Sequence, residues 1–186
     1  MKVLVVGTDG AEDIELVTIC DVLRRGGLQV TLGGLEHELI NCANGCVLKA
    51  DVAPLPSSPV DTFNALVLPG GSKAAQTFAT NSHCQTLIKA MHGKGKLVAA
   101  ICAAPMALAA AGILNGKRAT IYPGMEKHLS DGDALPVKDE RVVVDGNIVT
   151  SQAPGTAMAF ALKLVEILAG EGTSAKVGHA MLYTGQ

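Results

Sequence analysis

The 186-residue sequence contains no tryptophan, and aromatic residues make up only 3% of it. Proteins that hold single-stranded nucleic acid need aromatic side chains on which bases stack, so this scarcity argues against that function. Charge is also scarce, because charged residues account for 17% and the formal net charge is -2. Such a chain exerts no long-range attraction on nucleic acid or on an anionic membrane, and we expect neither as a partner.

Long apolar segments are missing as well. Every apolar run is broken by glycine, proline or a charged residue before it could span a membrane. The first apolar run ends at Gly7 and charged residues follow at once, which argues against a signal peptide. The five cysteines, an odd number, favour reduced thiols and a cytoplasmic location. They are Cys20, Cys42, Cys46, Cys84 and Cys102.

Apolar residues, by contrast, are abundant at 48%, and the mean hydropathy is +0.33. A chain of this length buries one large core and is short for two, so we expect residues 1–186 to form a single domain. The low charge leaves surface for another subunit to cover.

Predicted strands and helices alternate along most of the chain. This order indicates an α/β fold with a mostly parallel central sheet and helices on both faces. Asn44-Gly45 and Asp145-Gly146 lie between apolar runs and predict two hairpins. Asp9 and Glu12 have capping-box spacing and predict the start of a helix that ends near Arg25. Later segments predict a strand at 118–122, loops at 50–62 and 130–136, and a terminal helix at 175–183.

Cys102 follows a buried strand predicted at 97–101 and precedes Pro105, where a helix can begin. A thiol at such a corner faces free backbone N–H groups and the positive end of a helix dipole, which stabilise a thiolate. The alternative is a structural cysteine packed among small residues, and this stretch alone leaves both interpretations open.

The first helix has one polar line, made of Glu15, Thr18, Asp21 and Arg25. Apolar residues cover the rest of its circumference, so we expect the helix to be buried on most sides. The polar line is either a solvated stripe or, at Glu15, a side chain that faces a site. In open α/β sheets the site lies beyond the carboxyl ends of the strands, where Cys102 and the loop at Gly70-Gly71 also fall.

The residue spacing does not match known metal-binding or nucleotide-binding motifs. Cys42 and Cys46 with the nearby His37 lack a second ligand pair for a zinc site, so no metal is expected. The Gly70-Gly71 loop has neither dinucleotide-binding nor phosphate-loop spacing. Its amides can still serve an oxyanion, although a plain tight turn explains the glycines equally well.

Four segments together resemble the DJ-1 branch of the ThiJ/PfpI superfamily. They are the elbow at 98–105, the helix start at 10–15, the loop at 67–71 and the turn at 150–156. The resemblance implies a flavodoxin-like three-layer sandwich that forms homodimers and needs no cofactor. It implies that Cys102 is the nucleophile and an oxidisable thiol, that Glu15 is its acid partner, and that Gly70, Gly71 and Ala103 form the oxyanion site.

The activity implied by the resemblance is glutathione-independent conversion of methylglyoxal or glyoxal to a hydroxy acid, or repair of glycated groups. Tyr122, Asn44 and Pro154 would form the site wall. Tyr122 stands where many relatives have a histidine, and a phenol with a pKa near ~10 is a poor base at neutral pH. We therefore do not expect a Cys–His triad or a protease. A redox sensor without catalysis and a dimeric chaperone remain alternatives.

Overall fold

The computed structural model describes residues 1–55 and 59–185. Its strands are β1 (Lys2–Gly7), β2 (Gln29–Gly34), β3 (Leu39–Asn41), β4 (Val47–Lys49), β5 (Ala65–Leu68), β6 (Leu97–Ile101), β7 (Arg118–Ala119), β8 (Leu135–Pro136), β9 (Val142–Asp145) and β10 (Ile148–Ser151). Its α-helices are α1 (Asp13–Arg25), α2 (Ser72–Thr80), α3 (Ser82–Gly93), α4 (Pro105–Ala110), α5 (Glu126–Ser130), α6 (Ala157–Ala169) and α7 (Glu171–Ala180).

Six strands form the central sheet in the order β2-β1-β5-β6-β10-β9. The first five strands in this order are parallel, and β9 pairs antiparallel with β10 at one edge. Every residue of β5 and β6 is buried, which is why these strands read as continuous apolar runs in the sequence. The sequence-based prediction of a mostly parallel sheet is confirmed.

Helices cover both faces of this sheet. Contacts join α1 to α6 and α6 to α7 on one face, whereas α2, α3, α4 and α5 contact one another on the other face. The result is the three-layer, flavodoxin-like sandwich that the resemblance implied. None of the helices in the described part of the chain is both long and apolar enough to cross a membrane.

Two predictions for the segment after α4 are wrong. The strand predicted at 118–122 ends at Ala119, because the amide of Thr120 donates to the Thr150 hydroxyl at 2.9 Å instead of to a neighbouring strand. The amide of Tyr122 then donates to the carbonyl of Cys102 at 2.8 Å, which draws the chain toward the elbow. The polar loop predicted at 130–136 contains β8, which pairs parallel with β7.

Some predicted boundaries also move. Glu12, and not Asp9, caps α1, since its side chain accepts the Glu15 amide at 2.8 Å. Asp9 instead accepts the backbone and side-chain amides of Asn41. The terminal helix begins at Glu171 and ends at Ala180. Within the loop predicted at 50–62, Pro59–Asp61 form a 3₁₀ turn, and residues 56–58 lie outside the described residues.

The buried surface of α1 differs from the expectation. Ile14 and Val17 are 58% and 46% exposed, so one apolar strip of the helix faces away from the chain. The predicted polar line is not a solvated stripe, because Glu15 is fully buried at its N-terminal end. An exposed apolar strip on an otherwise packed helix is typical of a subunit contact.

The strand connections favour a site at the carboxyl ends of the central parallel strands. From β1 the chain crosses to β2 on one side, and from β5 it crosses to β6 on the other, so the direction of winding changes between β1 and β5. Ligand sites of open α/β sheets occupy the crevice at such a switch point. The loop after β1, the loop after β5 and the elbow after β6 all meet there.

Candidate active site

Cys102 sits at a strained corner directly after β6. Its φ of +63° lies in the left-handed region, which costs a residue with a side chain on the order of 1–2 kcal/mol. Neighbours on both sides hold it there: its amide donates to the Ser151 carbonyl at 3.0 Å, and its carbonyl accepts from the Tyr122 amide at 2.8 Å. Strain maintained by surrounding structure is characteristic of functional positions.

The Cys102 side chain lines an open cavity of about 540 Å³. The predicted nucleophile, the predicted wall residues and two of the three predicted oxyanion donors line this cavity. Gly70 and the predicted acid partner Glu15 do not. The lining residues are Glu12, Ala43, Asn44, Gly71, Ser72, Cys102, Ala103, Tyr122, Pro123, Gly124, Met125 and Pro154. The structure therefore brings together residues from six separate stretches of the chain.

Glu15 lies beneath this cavity, in the first turn of α1, with no exposed surface. One carboxyl oxygen, Oε2, accepts the amide of Gly70 at 2.7 Å, whereas Oε1 is buried with no hydrogen-bond partner among the described residues. Gly70 is required here because a Cβ at that position would lie 2.5 Å from the Cβ of Cys102 and 2.6 Å from Glu15 Oε2. The glycine lets the nucleophile and the carboxyl approach each other.

Burial raises the pKa of Glu15 to about 7, against the opposing effect of the Gly70 amide. Burial, together with repulsion from an ionised Glu15, raises the pKa of the Cys102 thiol to about 12. The amides of Gly71 and Ala103 act in the opposite direction and favour the thiolate, as the elbow geometry predicted. Burial and the negative charge of an ionised Glu15 outweigh these two amides, so the net shift of the thiol pKa is upward.

The two groups titrate as a pair in which Glu15 ionises at a lower pH than Cys102. A charge on Glu15 opposes ionisation of the thiol. When the sulfur bonds to an electrophile, its proton can pass to the Glu15 carboxylate and from there to another atom. A carboxyl with a pKa near 7 can both hold and release a proton at neutral pH, which is the property required of a general acid–base group.

The structure corrects one expected oxyanion donor. The Gly70 amide is committed to Glu15, so it supports the acid partner and does not face the cavity. The amides that reach the sulfur are those of Gly71 and Ala103. Gly71 has a φ of +94° and packs against Gly10 so closely that a Cβ would collide with the Gly10 carbonyl.

Two carboxylates that sequence reasoning overlooked hold the cavity wall in place. Asp13 accepts the amide of Asn44 at 2.7 Å and that of Cys46 at 2.9 Å. Glu12 caps α1 with Oε2 and accepts the Asn44 side-chain amide on Oε1 at 3.2 Å. The acidic residues at the start of α1 were visible in the sequence, whereas their partners in the β3–β4 hairpin lie 31–33 positions further along the chain.

Tyr122 borders the cavity and is 46% exposed. Among the described residues that line the cavity there is no histidine, and His128 lines a separate groove beside α5. Across residues 1–55 and 59–185, no three His, Cys, Asp or Glu side chains are grouped so as to hold a metal ion.

The chain matches one known protein family over most of its length. Residues 1–167 match the DJ-1/PfpI family. This chain is a member of that family. Family membership was predicted from four short segments, and the match over most of the chain confirms it.

Similar DJ-1/PfpI proteins come from distant organisms. The chain is 39% identical to the dj-1beta protein of Drosophila melanogaster over 180 residues, covering 96% of this chain and 95% of that protein. The crystal structure of that fly protein superimposes with a TM-score of 0.90 over 97% of both chains. A protein named a deglycase from Pyrococcus abyssi is 36% identical, covering 90% of this chain and 99% of its own length. A protein named a glutathione-independent glyoxalase from Caenorhabditis elegans is 38% identical, covering 87% and 85% respectively.

Proposed function

We propose that this protein is a cofactor-free, cysteine-dependent enzyme that acts on small reactive dicarbonyls, converting methylglyoxal to lactate or releasing such groups from glycated molecules. The observation that carries the proposal is the Cys102–Glu15 pair, in which a thiol that lines an open cavity lies beside a buried carboxyl with a pKa raised to about 7. The names glyoxalase and deglycase, given to two relatives 36–38% identical, support the same class of substrate.

In the first step the Cys102 sulfur attacks the aldehyde carbon of methylglyoxal. A carbon–sulfur bond forms, and the carbonyl oxygen gains negative charge within reach of the Gly71 and Ala103 amides. The thiol proton passes by way of the Glu15 carboxylate to that oxygen, which gives a hemithioacetal. No base other than Glu15 is needed, because its carboxylate can take the proton that leaves the sulfur.

In the second step Glu15 moves a proton between adjacent carbons. The ionised carboxyl removes the hydrogen from the former aldehyde carbon and returns it to the former ketone carbon, while the hydroxyl proton moves from the first oxygen to the second, so one carbon is oxidised and its neighbour reduced. The product is a thioester of Cys102. Water then displaces the sulfur, releases lactate and restores the thiol. Oε1, the carboxyl oxygen without a partner, is the atom available for this transfer.

Methylglyoxal consumption by Cys102→Ala and Glu15→Gln variants tests this function. We expect both to lose turnover, while Cys84→Ala, which alters a thiol buried in α3 away from the cavity, keeps it. A titration of the Cys102 thiol with and without Glu15→Gln complements the assay, because removing the carboxylate should lower the pKa of the thiol. Undiminished turnover in Cys102→Ala would overturn the proposal.

Redox sensing at Cys102 is a second candidate. The amides of Gly71 and Ala103 and the Glu15 carboxyl act on the Cys102 sulfur and could hold the oxygens of a sulfinic acid. Mild peroxide should then add two oxygens at Cys102 alone. Equal oxidation of Cys20, Cys84 and Cys102 on a peptide map would argue against this role.

We further propose that the protein is a homodimer that joins through the exposed strip of α1. Ile14 and Val17 supply its apolar surface, and Val47 on the neighbouring hairpin is also exposed. Val17→Glu should yield monomers in light scattering, whereas Ile167→Glu, an exposed apolar position on α6, should not. We expect the protein in the cytoplasm, where its thiols stay reduced.

A further inference from the structure

Two further thiols lie opposite each other in the β3–β4 hairpin. The register pairs Leu39 with Lys49 and Asn41 with Val47, and its continuation places Cys42 opposite Cys46. The Cys42 amide donates to the Cys46 carbonyl at 2.8 Å, so the ladder extends to this pair. Residues directly opposite in an antiparallel ladder have Cα atoms about 4.5–5.5 Å apart, within the range that a disulfide spans.

Both thiols are directed to the same face of the hairpin. Side chains alternate along a strand, so Cys42 lies on the face of Ile40, and Cys46 lies on the face of Leu48, which pairs with Ile40. Burial raises the pKa of the Cys42 thiol to about 11, and the negative charges of Asp13 and of an ionised Cys46 add to this effect. Both thiols are free in this structure.

The two cysteines differ in access. Cys46 is exposed and Cys42 is buried. The Asp13 carboxylate raises the pKa of the Cys46 thiol, so this thiol reacts slowly with an oxidant at neutral pH and faster as the pH rises. An exposed thiol that reacts first and a buried thiol that resolves the product are the two parts of a dithiol–disulfide centre.

We propose that Cys42 and Cys46 form a reversible disulfide that cross-links the wall of the Cys102 cavity. The oxidant is a small disulfide such as oxidised glutathione. The Cys46 thiolate attacks one sulfur of the oxidant, which forms a mixed disulfide and releases one glutathione thiol. The Cys42 thiolate then attacks the Cys46 sulfur and releases the second glutathione, so two protein thiols are oxidised and one disulfide is reduced to two thiols.

The cross-link would close the loop that contains Ala43 and Asn44, two residues of the cavity wall. In the reduced protein, hydrogen bonds from Ala43 to Ala11 and from Asn44 and Cys46 to Asp13 hold this loop. The disulfide adds a covalent restraint between the two ends of the same loop. The thiol redox state would thus determine how firmly one side of the cavity is held.

The test uses the Cys102→Ser protein, so that the mapping does not depend on Cys102 chemistry or on the proposed enzyme activity. After incubation with oxidised glutathione, remaining thiols are alkylated and the protein is digested with trypsin. Residues 26–49 form one tryptic peptide that contains both Cys42 and Cys46 and no other cysteine. We expect this peptide to escape alkylation, to be lighter by two hydrogens, and to revert with dithiothreitol.

Cys46→Ser in the same background should leave Cys42 open to alkylation, and the matched Cys84→Ala variant should still form the cross-link. A stable glutathione adduct on Cys46, alkylation of both thiols, or disulfide-linked dimers would each overturn the proposal. Amide hydrogen exchange across residues 43–45 provides a second readout. Exchange should be slower in the oxidised protein, and unchanged exchange would overturn the cross-linking of the wall.

Discussion

Asp13 and Glu15 are carboxyls in the same turn of the same helix, yet their surroundings give them opposite properties. Burial opposes ionisation of Asp13, but the amides of Cys46 and Asn44 outweigh it and hold the pKa of this carboxyl below its usual value. Glu15 receives one backbone amide and keeps one oxygen without a partner, so burial raises its pKa to about 7. Deeper burial and fewer hydrogen-bond donors together give Glu15 a carboxyl that can exchange a proton, whereas Asp13 stays ionised and holds the hairpin.

The largest effect is expected when the carboxyl that transfers the proton is removed. Glu15→Gln should lower methylglyoxal turnover at least about a hundredfold, because general acid–base catalysis contributes about 10²–10⁴-fold. Asp13→Asn should have a much smaller effect on the rate. Steady-state kinetics on both variants provide the measurement, and near-normal turnover by Glu15→Gln would contradict the assignment.

The pH dependence of stability sharpens the contrast. Glu15 has a folded-state pKa of about 7 against an ordinary value of 4.5, so the folded protein binds more protons between these values. Its contribution to stability is therefore highest below pH 4.5 and falls as the pH rises toward 7, by on the order of 3 kcal/mol. Urea unfolding of wild type and Glu15→Gln across this window should show the decline only in wild type. Glu171→Gln, on α7, should keep the wild-type decline.

The contribution of Asp13 to stability should change with pH in the opposite direction. Because its folded-state pKa is lowered, its stabilisation is present above the unfolded-state pKa and is lost as the pH falls through the folded value. Asp13→Asn should lower the urea midpoint at neutral pH, since an amide group cannot accept both backbone N–H groups. Asp21→Asn, a change of the same kind on the half-exposed part of α1, should lower it less. Equal urea midpoints for Asp13→Asn and Asp21→Asn would contradict a special stabilising role for Asp13.

Glu12 supplies an intermediate case, since its two oxygens cap the helix and hold the Asn44 side chain. Loss of a capping side chain costs about 1 kcal/mol. Glu12→Ala should therefore destabilise the protein by that amount, and Glu12→Gln should recover part of it because the amide oxygen can still cap. Thermal unfolding of both variants provides the check, and identical losses would argue that the cap contributes nothing.

Local pattern was sufficient for the fold. Runs such as Leu97–Ile101 are apolar without interruption because the strand is buried on both faces, and that pattern is visible in one dimension. The elbow was also predictable, because a buried strand, Cys102 and Pro105 follow one another directly. Strand order then fixed which loops meet at the carboxyl edge of the sheet.

Features that depend on neighbours distant in sequence were not predictable. Periodicity placed Glu15 on a polar line but could not say that Gly70 and Cys102 would cover it. The two glycines of that loop look equivalent in sequence, although one amide serves Glu15 and the other reaches the sulfur. The direction of the Cys102 pKa likewise depends on burial and on a charge 87 positions away in the chain.

The positive φ of Cys102 has a consequence for how this protein can be improved. Glycine adopts that conformation without the cost of about 1 kcal/mol that a side chain incurs. A Cys102→Gly substitution would therefore remove the backbone strain together with the nucleophile. Laboratory selection for thermal tolerance alone should therefore favour more stable variants that lack the Cys102 thiol. Retention of cysteine at this corner under such selection would measure how strongly the reaction itself is being selected.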